Sequence, residues 1–117
     1  MPGPDDAPFL VVLTTLGNVE DARSFVRELV TRKMVACGTI LPSATSIYRW
    51  EGAVTEVTEA VVLLKTRRER WQDLLAAARS LHPYEVPELL ALPVQKGLDA
   101  YLDWIASETM SGGNEST

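Results

Sequence analysis

One short run holds most of the chemistry this chain could do: His82-Pro83-Tyr84-Glu85-Val86-Pro87-Glu88. It places the only histidine beside two carboxylates, with two prolines to stiffen the turn. Imidazole and carboxylate together suit Cu(II) or Zn(II). The plainer reading is a helix stop, with His82 set favourably against the negative end of the helix dipole. Cys37, the only cysteine, is by type a nucleophile or a soft metal ligand, and by habit a small buried hydrophobe. One histidine and one cysteine cannot close a Cys/His zinc site, so a metal site would be shared between subunits or weak and open. Glu59 and Glu85 are further carboxylates for such a site. Tyr48, Trp50, Tyr84, Tyr101 and Trp104 suit interface packing, with a small-molecule pocket as the alternative.

Other chemistries lack their residues. There is no recognisable Ser-His-Asp arrangement, Gly-rich phosphate loop or dinucleotide fingerprint. The chain reads as non-enzymatic and as requiring no cofactor.

The elements that would position these residues are readable from periodicity. Phe9–Thr15 is a continuous apolar run of strand length, as in a strand buried on both faces. Asn18 is a good N-cap, and Val19, Ala22, Phe25, Val26, Leu29, Val30 and Met34 recur at helical spacing, with Arg32 and Lys33 in the expected last turn. Ala36–Thr66 reads as one long β-hairpin turning at Glu51-Gly52, which sets Trp50 against Ala53 and Cys37 near Thr66. Pro42 interrupts its first arm and predicts an edge or a bulge. Thr66-x-x-Glu69 has the form of a capping box opening a second helix, whose apolar stripe is Trp71, Leu74, Leu75, Ala78 and Leu81. His82-Pro83 ends it. Pro87–Val94 reads as a short strand and Leu98–Ser107 as a third helix.

The order β-α-β-β-α-β-α predicts an α+β domain of the split βαβ, ferredoxin-like kind over residues 9–107, with a C-terminal helix added. Residues 1–8 are expected to be disordered and residues 108–117 to form a flexible tail. Each hairpin arm would span roughly 45 Å, more than a domain of this size, about 35 Å across. The hairpin therefore bends over its own core or overhangs it. Its outer part carries Ile47, Tyr48, Trp50, Val54 and Val57, and an exposed apolar hairpin is a liability unless covered. A second copy of the chain is the expected cover.

The totals narrow the partners. Net charge is −5 and no basic stripe exists, so duplex nucleic acid is not an expected partner. No apolar run approaches the roughly 20 residues that span a bilayer. A single cysteine and an acidic, Pro-rich start point to the cytoplasm.

Several of these residues also form one pattern. Ala36-Cys37, Thr45-Ser46-Ile47-Tyr48-x-Trp50-x-Gly52, Glu59, Lys65-Thr66, His82-Pro83-Tyr84-Glu85-x-Pro87-Glu88, and Gly97 with Tyr101-Leu102-x-Trp104 together resemble the CutA family of divalent-cation tolerance proteins. The likeness runs from about Val11 to Ile105. It departs from the family pattern at Gly38-Thr39 and at Leu98. It implies a ferredoxin-like homotrimer with hairpins packed between subunits, Tyr84 and Trp104 joining that interface, and an architecture like the PII signalling proteins. It further implies a cytoplasmic role in tolerance of copper and other divalent cations, with metal associated with Cys37, His82 and Glu88. The alternative is a PII-like regulator that binds a small molecule or partner protein between subunits.

Overall fold

The computed structural model describes residues 7–110. Most of both expected loose termini, residues 1–6 and 111–117, lies outside that range. The elements follow the expected order: β1 (Phe9–Leu16), α1 (Val19–Thr31), β2 (Cys37–Trp50), β3 (Ala53–Arg67), α2 (Trp71–Leu81), β4 (Leu90–Pro93) and α3 (Asp99–Glu108). The strands form one antiparallel sheet in the order β2-β3-β1-β4, which is the ferredoxin-like arrangement.

Strand alternation divides the residues between two faces. Leu10, Val12 and Leu16 of β1 and Ala60, Val62 and Leu64 of β3 are buried with Phe25, Val26 and Leu29 of α1 and Leu74, Ala77 and Ala78 of α2. This is the core. The odd-numbered positions of β1 and β3 point the other way, where Val11, Leu13, Val61 and Leu63 are only partly covered and their neighbours Leu41, Leu90 and Leu92 are exposed. Helix α3 covers one end of that second face: Ile105 is buried, and Arg67 holds the Thr109 side chain and carbonyl at 2.9 and 2.6 Å. Thr109 is fully buried, so the folded unit continues past residue 107.

Local details depart from expectation for identifiable reasons. Asn18 does cap α1, accepting from the Asp21 N–H at 2.8 Å. The helix ends at Thr31, however, two residues before Lys33. Lys33 has φ 61°, Lys33 N–H reaches the Val30 carbonyl, and Met34 N–H reaches the Leu29 carbonyl. That is a Schellman close with lysine where glycine is usual. The capping box does not form. Thr66 remains in β3 and its buried hydroxyl donates to the Met34 carbonyl at 2.6 Å; a 3-10 turn at Arg68–Arg70 leads into α2 instead. Only Leu90–Pro93 of the expected fourth strand pairs with β1, because the residues before it form the loop that leads back from α2. Among the described residues no helix is long and apolar enough to cross a membrane.

The hairpin turns at Glu51-Gly52, with φ 49° and 82°, and Trp50 pairs with Ala53 as expected. Cys37 pairs with Lys65, not Thr66. The cause is a bulge at Pro42-Ser43: Leu41 pairs with Val61 and Ala44 with Glu59, so two residues oppose Ala60. Strand β1 pairs with β3 only as far as Ala60, and the outer arm beyond it extends past the sheet.

Candidate functional site

Three interactions build the site, starting where α2 stops. His82 precedes Pro83 and leaves the helix in an extended conformation, with φ −73° and ψ 134°. Its ring is buried, edge-on to Phe25. Nδ1 accepts the Tyr84 N–H at 3.1 Å, while Nε2 lies 2.8 Å from the Thr15 carbonyl oxygen. A carbonyl can only accept, so Nε2 carries the proton and the imidazole is neutral. Burial lowers the His82 pKa below its ordinary value, opposed by the Thr15 bond and by Glu59. His82 does stop the helix, but as a neutral ring it is not the cation that a favourable interaction with the helix dipole needs.

The loop that His82 anchors places Tyr84 over the middle of β3. The Tyr84 hydroxyl donates to Glu59 Oε2 at 3.1 Å. Burial first, and then the Glu59 carboxylate, push the Tyr84 pKa up to about 12, so the phenol stays a donor. Thr15 and Glu59 are the only buried positions of β1 and β3 on the face away from α1 and α2.

Between this loop and the outer hairpin arm lies a cleft of about 900 Å³. Its walls include Tyr48, Trp50 and Tyr84; its carboxylates are Glu59, Glu85 and Glu88; no lysine or arginine lines it. The bulge matters here. Uninterrupted alternation from Cys37 would turn Ile47 and Arg49 toward the Cys37 face. The extra residue brings Ser46, Tyr48 and Trp50 onto the face of Val57 and Glu59 instead.

The residues singled out from sequence fall into two groups. Glu59, Glu85 and Glu88 do line one cleft, with Ile47, Tyr48, Trp50, Val57 and Tyr84. Cys37 is elsewhere. It sits in the row of Lys65 and Val11, four residues along β1 from Thr15, or about 13 Å. Its Sγ lies 3.8 Å from the Tyr101 hydroxyl, a contact that raises the Tyr101 pKa. One chain thus does not bring Cys37, His82 and Glu88 together, and both His82 nitrogens are already engaged. Among the described residues no three His, Cys, Asp or Glu side chains are grouped to hold a metal ion. Of the expected interface residues, Ile47, Tyr48, Trp50, Val54, Tyr84 and Trp104 are exposed in the single chain and Val57 is half-buried. The role of Thr15 and the Tyr84–Glu59 bond had no signal in the sequence, since both join residues far apart in the chain.

Comparison with known proteins agrees over nearly the whole domain. The model of the CutA1 divalent ion tolerance protein family matches residues 10–108. The divalent-cation tolerance protein CutA of Thermus thermophilus is 43% identical over 99 residues, covering 85% of this chain and 96% of its own length. A structure from the same organism superposes with a TM-score of 0.85 at 42% identity, covering 87% of this chain and 99% of the other. The mouse protein CutA is 37% identical over 117 residues but longer, and the chain covers 64% of it. A structure from Archaeoglobus fulgidus, described as a periplasmic divalent cation tolerance protein, has a TM-score of 0.84 at 29% identity, covering 87% of this chain and 99% of that one. With the sheet order, the long hairpin and the His82–Glu88 loop all in place, the chain belongs to the CutA1 divalent ion tolerance family.

Proposed function

We propose that this protein is a homotrimer of the cytoplasm that takes part in tolerance of divalent cations, copper among them, binding metal weakly and catalysing no reaction. The observation that carries the reading is the acidic cleft: Glu59, Glu85 and Glu88 line it without a basic side chain. Metal enters through these carboxylates, and Cys37 joins only when it comes from a neighbouring copy. Assembly is supported by the uncovered apolar face at Leu41, Leu90 and Leu92 and by the exposed tip at Ile47, Trp50 and Val54. Light scattering with and without Cu(II), followed by calorimetry, tests it. A trimer mass in both states, with Cu(II) binding weakened by Glu88→Gln, is the expected result. A monomer in both states, or Cu(II) binding that ignores all three glutamates, defeats it.

A second reading is favoured by the size of the cleft and its aromatic wall. At about 900 Å³ it has the dimensions of a small-molecule site. In this reading the protein is a PII-like regulator that binds a small molecule or partner protein, and metal is incidental. Thermal shifts across a set of nucleotides and central metabolites test it, and silence across all of them removes it.

A further inference from the structure

Glu59 is a charge without an opposite. It is only 9% exposed, it lines the cleft, and its one bond is to the Tyr84 hydroxyl. Among the described residues no lysine, arginine or histidine forms an ion pair with it. His82 is near enough to feel its charge but is spent on Thr15 and Tyr84. The second oxygen of Glu59 keeps contact with solvent, so a cation in the cleft can reach it.

We propose that the cleft receives a small organic cation with a primary ammonium group, Glu59 being its counter-charge and Tyr48 and Trp50 the surfaces for its carbon body. This deepens the small-molecule reading above and rests on it. An ammonium brings three N–H donors. Glu59 Oε1, which has no partner among the described residues, accepts one, and the Ser46 hydroxyl on the same face of the hairpin is available for another. Aromatic faces attract such a cation directly once it sheds water. A bare metal ion makes no use of the aromatic walls and finds no grouped ligand set among the described residues. Glu85 and Glu88 are exposed on the loop beside the cleft, where they draw cations toward it and favour a diamine over a monoamine.

The test is calorimetric titration of the full chain with 1,4-diaminobutane, with 1,4-butanediol as the uncharged control. The Glu59→Gln variant keeps the side chain's shape and its bond to Tyr84, and its solution mass and Tm are checked first. Saturable diamine binding that Glu59→Gln weakens about tenfold or more, with the diol silent, is expected for loss of a charged hydrogen bond. Absence of saturable diamine binding overturns the inference, as does binding that survives Glu59→Gln. If the wild type ignores the diamine and Glu59→Gln also lowers the solution mass, the opposite charge comes from a neighbouring copy and the inference falls. Neutral and anionic metabolites run alongside separate the failures. A response to them alone leaves a small-molecule site of another class, and silence throughout removes the cleft reading as well.

Discussion

The backbone N–H of Tyr84 donates to His82 Nδ1 at 3.1 Å, and this bond between residues two apart holds the loop that carries the Tyr84 hydroxyl to Glu59. The site is thus assembled from the end of α2 outward. A neutral imidazole is what allows it, since protonated Nδ1 cannot accept.

Acid should loosen this arrangement. The His82 pKa is lowered in the folded state, chiefly by burial, from an ordinary value of 6.5. Between the folded value and 6.5 the unfolded chain binds the extra proton and the folded chain does not. Stability from this group is therefore complete above 6.5 and falls as pH drops through the window below it. Thermal unfolding of the wild type and His82→Gln across that range should show a steeper loss on acidification in the wild type. Parallel curves would mean that His82 does not set the acid limit.

Trp50→Ala should act on assembly and leave the single chain's fold intact. Trp50 is 58% exposed in one chain, so little is lost there. If a neighbouring copy buries it, truncation costs roughly 3–5 kcal/mol of association. Light scattering over a dilution series should show the variant dissociating at concentrations where the wild type holds its mass. An unchanged mass at the lowest concentration would contradict this.

Thr14→Val should stabilise the protein. The Thr14 hydroxyl is fully buried and unpartnered among the described residues. Replacing it with a methyl group removes a desolvation cost of about 1 kcal/mol. For a domain of this size that corresponds to a rise in Tm of roughly 4–8 °C. A lower Tm would mean that the hydroxyl has a partner, such as a buried water.

Gly38→Ala should destabilise, although its backbone is ordinary. An added Cβ would lie 2.7 Å from Val26 Cγ1 and 2.9 Å from Leu64 Cδ2, both in the core. Overpacking of this kind costs about 1–3 kcal/mol. Denaturant unfolding of Gly38→Ala alone and with Val26→Ala gives the check. The second change should recover part of the loss, because it removes the methyl groups that clash.

The fold was legible because its signals are local. Val12 and Val62 sit in unbroken apolar runs, Phe25 and Leu29 recur at helical spacing, and Glu51-Gly52 marks the turn. What failed were assignments in which a distant partner competes. Thr66 looks like a helix cap from sequence, yet its hydroxyl is taken by the Met34 carbonyl, 32 residues earlier. Lys33 looks like a last-turn cation but closes the helix at positive φ, and its carbonyl accepts from Arg70 Nε at 3.2 Å, 37 residues later. The site followed the same rule. The clustering of Tyr84 with Glu85 and Glu88 is local and was readable. Glu59 reaches them only through the sheet register, and Cys37 is carried away from His82 by that same register.

The bulge at Pro42-Ser43 lies on β2, an edge strand, and the pairing with β3 resumes on either side of it. Removing Ser43 would let Pro42 alone oppose Ala60 and would leave every other partner unchanged. A one-residue deletion here is thus a change of curvature and not of pairing. Length variation at this joint can re-aim the tip of the hairpin through small insertions and deletions, while the base that holds Cys37 and the turn that presents Trp50 keep their own neighbours.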